Sequence, residues 1–141
     1  MSRIYWDTML FIYWIEDNPQ FAARVSEIRS RMRERNDELI TGALTVGEVL
    51  AGVYRKATVE RARQTKAMLE SAVDLVVPFT IETADLYGQI RGSMNVPPAD
   101  AIHLASAAQA RADLFLRNDN RLVGKFVPGI QFIASLEAPL F

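Results

Sequence analysis

Five short apolar runs separated by stretches of helical spacing constrain this chain more than any other feature. The runs are Ile4-Tyr5-Trp6, Leu39-Ile40-Thr41, Leu75-Val76-Val77, Leu114-Phe115-Leu116 and Gln131-Phe132-Ile133. Each is too short for a helix and rich in branched or aromatic residues, which suits a strand. Between them, Leu10, Tyr13 and Trp14 predict a first helix, broken at Asp17-Asn18-Pro19. Phe21, Val25, Ile28 and Met32 form the apolar stripe of a polar helix over Gln20 to Asn36. Further helices are predicted from Thr45 to Lys56, from Val59 to Ser71, and from Thr80 with Ala84, Tyr87 and Ile90 on one side. Another starts at Pro97-Pro98 and carries Ile102, Ala105, Ala108 and Ala112, and a short one is expected around Leu122. Strands alternating with helices predict an α/β fold on a parallel sheet. Continuous rather than alternating apolar strands predict a sheet covered on both faces.

The 141 residues fit a single domain spanning 1–141, with no linker, repeat or low-complexity tract. The chain contains no cysteine, which excludes disulfides, thiolate metal sites and thiol catalysis. Its one histidine, His103, argues against a zinc site of nitrogen and sulfur ligands. A metal here has to sit on oxygens, as magnesium, manganese or calcium do. No stretch approaches the roughly 20 apolar residues of a membrane span. Asp7 interrupts the apolar N-terminal run and no small-residue cleavage site follows, so a soluble, cytoplasmic protein is expected. The net charge of −1 gives no overall attraction to nucleic acid.

Four acids fall where such a fold places its sites, at the edge shared by strand C-termini and helix N-termini. Asp7 directly follows the first strand, and Asp119 follows the fourth across Arg117 and Asn118. Glu48 is expected in the first turn of the helix opening at Thr45, and Asp100 in the first turn after Pro97-Pro98. Each alone has a structural explanation. Thr45-x-x-Glu48 reads as a capping box, Asp7 and Asp119 as N-caps, and Asp100 as a complement to the helix dipole. Glu82, also in a first turn, keeps that structural reading. Together the four repel one another unless a cation joins them. Arg117 and Arg121 lie close enough in sequence to offset Asp119, but the other three acids have no basic residue nearby. The spacing alone points to an oxygen-ligand metal site and leaves the reaction open.

Four segments carry a family resemblance. They are Tyr5-Trp6-Asp7-Thr8, Leu44-Thr45-Val46-Gly47-Glu48-Val49-Leu50-Ala51-Gly52, Pro98-Ala99-Asp100-Ala101-Ile102-His103-Leu104-Ala105-Ser106-Ala107 and Phe115-Leu116-Arg117-Asn118-Asp119-Asn120-Arg121-Leu122. In order and spacing the chain resembles PIN domains, most of all the VapC-type toxins of toxin–antitoxin pairs. The third segment is the most specific. The resemblance implies a three-layer fold, a parallel sheet with helices on both faces, and one or two Mg2+ or Mn2+ ions. It also implies hydrolysis of the RNA backbone, a homodimer, and a cognate antitoxin that blocks the acidic pocket. Carried over by position, Asp7, Glu48 and Asp100 hold the metal directly or through water. Asp119 helps position the metal or its water, and Thr8 and Asn118 are polar groups supporting them. Two departures stand out: Arg117 replaces a small hydroxyl residue, and Met9 stands where a small polar residue is common.

Other residues are less specific. His103 shares a helix face with Asp100 and reads as a partly buried histidine bonded to a neighbour. Arg24, Arg29, Arg31, Arg33 and Arg35 crowd one helix and read as a solvated face. Arg117 and Arg121 flank Asp119, where they suit RNA phosphate or an acidic antitoxin group equally. Tyr13 and Trp14 read as core or dimer contacts before base-stacking groups. A haloacid-dehalogenase-like phosphatase needs a second aspartate where Met9 stands, which disfavours it. A PIN-like domain in RNA maturation or decay, and a degenerate module that only binds RNA or protein, remain as rivals.

Overall fold

The computed structural model describes residues 1–141. Strand β1 (Arg3–Trp6) leads into α1 (Thr8–Ile15) and α2 (Ala22–Arg35), then β2 (Glu38–Gly42) into α3 (Ala43–Lys56) and α4 (Val59–Ala72). Strand β3 (Leu75–Val77) precedes α5 (Ile81–Ser93) and α6 (Pro98–Gln109), and β4 (Leu114–Arg117) and β5 (Phe132–Ser135) close the chain. All the strand pairings are parallel, in the order β3-β2-β1-β4-β5. This is the expected α/β fold, with helices on both faces of the sheet.

The pleat explains why the strands lack polar alternation. Tyr5, Ile40 and Phe115 point to one face, where α5 and α6 cover them. Ile4, Trp6, Leu39 and Leu116 point to the other, against Leu10 and Phe11 of α1, Val25, Ile28 and Met32 of α2, and Leu69 of α4. Both side-chain sets are buried, so a period-2 signal has no solvent face to reveal.

Local sequence sets most element ends. Asn36 takes the left-handed conformation at φ 58° and closes α2 through its N–H to Met32 and Arg33 carbonyls. Thr80 caps α5 in a reciprocal box with Thr83. Pro98 opens α6, where a missing N–H costs nothing.

Four expectations need correction. Helix α3 starts at Ala43 after Gly42, so Thr45 is not its cap and Glu48 lies in the second turn, not the first. Gly42 serves there because a Cβ would sit 2.7 Å from the Tyr5 hydroxyl. On α5 the buried side is Thr83 and Ile90 with Leu86 and Tyr87 half-buried, and Ala84 faces solvent. Helix α6 ends at Gln109, so Ala112 belongs to the turn before β4, and its stripe widens to near-complete burial while Ile102 stays half-buried. Leu122 is not in a helix: successive i to i+3 bonds link Asn120 to Val123 and Leu122 to Lys125, and Gly124 at φ 88° ends the segment. Leu122 itself is an anchor, 2% exposed, that pins this turn to the core.

Candidate active site

The strand order places a topological switch beside β1. From there the chain works outward to β2 and β3, then crosses back to β4 on the other side of β1. Segments leaving β1 and β4 diverge to opposite faces, opening a crevice at their C-terminal ends. A cavity of about 450 Å3 lies there, lined by Asp7, Thr8, Glu48, Asp100, His103 and Arg117, among others.

Asp7 sits at the mouth of β1, its N–H bonded to the Leu116 carbonyl at 2.9 Å as if the ladder continued. Its carboxylate also caps α1, accepting from Thr8 N at 2.6 Å. The structural reading of Asp7 therefore holds alongside its place in the crevice. Asp100 lies in the first turn of α6. Asp119 Oδ1 accepts from the Arg121 backbone N–H at 3.1 Å, closing a two-residue turn after β4.

Arg117 connects these three acids. It is 3% exposed. Its Nη1 lies 3.8 Å from Asp7 and 3.3 Å from Asp100, and its Nε lies 3.1 Å from Asp119. Nε and Nη1 are within ion-pair distance yet point off the hydrogen-bond direction, and both are buried without a hydrogen-bond partner. Arg117 is therefore not the solvent-facing phosphate group that its place in sequence suggests. It reaches Asp7 and Asp100 as well as Asp119, a link that sequence distance hides. Arg121 is exposed and bonds Asp119 through Nε at 3.0 Å, with Nη2 3.9 Å from Asp100.

Glu48 joins from the other side through a polar relay. Thr8 Oγ1 donates to Glu48 Oε1 at 2.6 Å, and His103 Nε2 lies 2.8 Å from the same oxygen and 3.5 Å from Asp7 Oδ1. The Tyr5 hydroxyl bonds His103 Nδ1 at 2.8 Å. The Glu48 carboxylate can only accept, so Nε2 carries the proton that faces it, and in the neutral ring Nδ1 accepts from the Tyr5 phenol, which burial keeps protonated. Behind them Thr45 Oγ1 lies 2.8 Å from Thr41 Oγ1 and 3.3 Å from Thr8 Oγ1, extending the hydroxyl network.

Charges respond to these surroundings. Burial pushes the Asp7 carboxyl up, the charge of Asp100 adds to that push, and His103, Arg117 and the Thr8 N–H pull against it. The His103 hydrogen bond holds Glu48 below the usual range, with burial opposing and Thr8 helping. For Asp119 burial pushes up, but the Arg121 N–H and the charges of Arg117 and Arg121 outweigh it.

Of the polar groups expected near the acids, Thr8 touches Glu48 directly. Asn118 turns away, its amide 3.5 Å from the Tyr13 hydroxyl. Tyr13 stacks on Phe21 and Trp14 packs edge-on to Trp6, as core contacts. The arginines of α2 are largely spent within the chain, Arg24 on Glu27 and the Leu136 and Ala138 carbonyls, Arg35 on Asp37. Sequence reading missed Arg55, which lines the crevice. It follows Glu48 by seven residues, two helical turns, and that spacing was its available signal.

An all-oxygen donor set suits a hard divalent ion, and the repulsion between Asp7 and Asp100 is of the kind such an ion relieves. No three acidic or histidine side chains, however, stand pre-arranged as ligands, and the Arg117 guanidinium occupies the space between the carboxylates.

The sequence matches the family model of the PIN domain over residues 4–124. With most of its length inside that match, the chain belongs to the PIN-domain family. No curated protein matches it in sequence. Its fold is similar to that of DNA-bound VapBC from Salmonella typhimurium, at 22% identity and TM-score 0.70 over 96% of this chain and 99% of that one. It is also similar to VapBC2 from Rickettsia felis bound to a promoter DNA fragment, at 15% identity and TM-score 0.70 over 94% and 98%. A third is VapBC-5 from Mycobacterium tuberculosis, a member of the VapBC family of toxin–antitoxin systems, at 21% identity and TM-score 0.59 over 94% and 98%. At these identities the likeness is one of fold.

Proposed function

We propose that this chain, as a single domain, is a metal-dependent endoribonuclease and the toxin of a toxin–antitoxin pair, working in the cytoplasm. The observation that carries this reading is the gathering of Asp7, Glu48 and Asp100 in the switch-point crevice of a PIN-family chain, with Asp119 beside it against Arg117. Asp7, Glu48 and Asp100 hold Mg2+ or Mn2+, directly or through water, and Asp119 helps position the ion or its water. A divalent ion supplies charge for the phosphate oxygens and lowers the pKa of an attacking water. Thr8 and His103 fix the Glu48 carboxylate in one orientation and keep it ionised. Arg121, exposed at the rim, meets the RNA backbone, which positions the strand without reading its sequence. No helix is long and apolar enough to cross a membrane. The VapBC likeness supports a cognate antitoxin as partner, and a homodimer is part of the proposal.

The test is incubation of purified protein with total RNA in Mg2+, Mn2+ or EDTA, with Asp7→Asn alongside. Cleavage is expected with metal and absent in EDTA and in the variant, leaving 5′-phosphate and 3′-hydroxyl ends. Ends carrying 2′,3′-cyclic phosphate overturn the hydrolytic mechanism. Folded, antitoxin-free protein that cuts nothing under any metal favours a binding module instead.

A further inference from the structure

Burying a guanidinium is costly unless anions surround it, and burying several carboxylates is costly unless a cation does. Arg117 solves both problems at once. Its 3% exposure leaves it almost no water, and its neighbours are the carboxylates of Asp7, Asp100 and Asp119 at 3.8, 3.3 and 3.1 Å. An arginine serving one acid normally forms a parallel two-bond fork. This one touches all three acids at ion-pair distance but makes no directional bond from Nε or Nη1. That is how a cation is held by charge rather than by hydrogen bonds. Asp7 is nearly as buried, at 6% exposure, so the pair interacts with little screening by water.

We propose that Arg117 is the resident counter-cation of the crevice, holding Asp7, Asp100 and Asp119 together without a divalent ion and competing with that ion for the same carboxylates. The first half stands on the geometry. The second rests on the proposed metal site, and the experiment separates them. Two consequences follow. The folded chain does not depend on metal, and metal binds more weakly than the number of carboxylates suggests.

The test compares wild type, Arg117→Gln and Arg117→Lys by thermal unfolding in EDTA and by Mn2+ titration followed through the EPR signal of the free ion. Wild type should unfold at nearly the same temperature in EDTA and in Mn2+. Arg117→Gln should lose roughly 5 °C or more in EDTA and recover much of it in Mn2+. Its Mn2+ affinity should rise about tenfold or more, since a positive charge near the ion has been removed. Arg117→Lys, which keeps the charge on a shorter donor, should fall between the two. Equal Mn2+ affinity in wild type and Arg117→Gln overturns the competition and leaves the metal site standing. No Mn2+ binding by any of the proteins overturns both the competition and the metal site. Unchanged stability of Arg117→Gln in EDTA overturns the counter-cation itself. Should Arg117→Gln fail to fold, the double variant with Asp100→Asn decides. Folding returns if Arg117 acts through charge and stays lost if it acts through packing.

Discussion

Replacing Tyr5 by phenylalanine removes one oxygen atom and almost nothing else. The ring is buried and stacks on Phe115 at 5.1 Å with 7° between planes, and phenylalanine keeps both the volume and the stacking. What disappears is the hydrogen bond from the hydroxyl to His103 Nδ1 at 2.8 Å, together with the oxygen's weaker contacts to Thr41, Thr45 and the Gly42 backbone. Nδ1 sits inside the fold, on a residue 2% exposed, and water cannot easily replace the lost donor. The net hydrogen bond is worth about 1 kcal/mol, and the orphaned acceptor brings the cost to about 1–3 kcal/mol. The imidazole is then free to turn, so Glu48 loses the steady donor that keeps it ionised. Urea unfolding of wild type, Tyr5→Phe, His103→Leu and the double variant measures the effect as a double-mutant cycle. A coupling energy of about 1 kcal/mol is expected, because Tyr5→Phe should cost little once the imidazole is gone. The Glu48 carboxyl resonance should also titrate higher in Tyr5→Phe than in wild type. Additive single variants, with an unmoved Glu48 titration, refute the relay.

Asp7→Asn keeps the cap on α1, since asparagine caps as well as aspartate, but removes a carboxylate whose pKa is raised chiefly by burial. A raised folded pKa means the native state binds more protons than the unfolded one between the two values, so wild-type stability falls as pH climbs through that window. In EDTA the variant is therefore expected to be more stable than wild type at neutral pH, the gap closing as pH drops to the unfolded value, while in Mg2+ or Mn2+ its RNA cleavage is lost. An Asp7→Asn variant less stable than wild type at every pH shows that attraction to Arg117 and His103 outweighs desolvation. Glu48 has the opposite sign. Its folded pKa is depressed, so its contribution is present above the unfolded value and fades as pH falls through the folded one, and Glu48→Gln should flatten that acid limb in urea melts. Gly42→Ala should cost about 1–3 kcal/mol by urea unfolding, because its Cβ falls 2.7 Å from the Tyr5 hydroxyl and 3.0 Å from Ser106 Oγ.

Periodicity along the chain is enough to derive the layered architecture and the edge at which the acids meet. Those depend on local periodicity and on the rule that strand C-termini and helix N-termini share an edge, so Asp7, Asp100 and Asp119 were legible from position alone. The boundaries of α3 were not, because Gly42 caps without a side-chain bond and Thr45, three residues on, imitates the usual hydroxyl cap. Glu48 reached the crevice anyway, one turn later than expected, since two turns of a helix still lie within a carboxylate's reach of the edge. What surrounds the acids comes from long-range packing. Arg117 meets Asp7 across most of the chain and Asp100 across the turn between α6 and β4, and His103 meets Tyr5 and Glu48 across 98 and 55 residues. Such pairings have no period and no local propensity. They exist because β4 is registered beside β1 and α6 packs over it, which brings together charges that the linear order keeps apart.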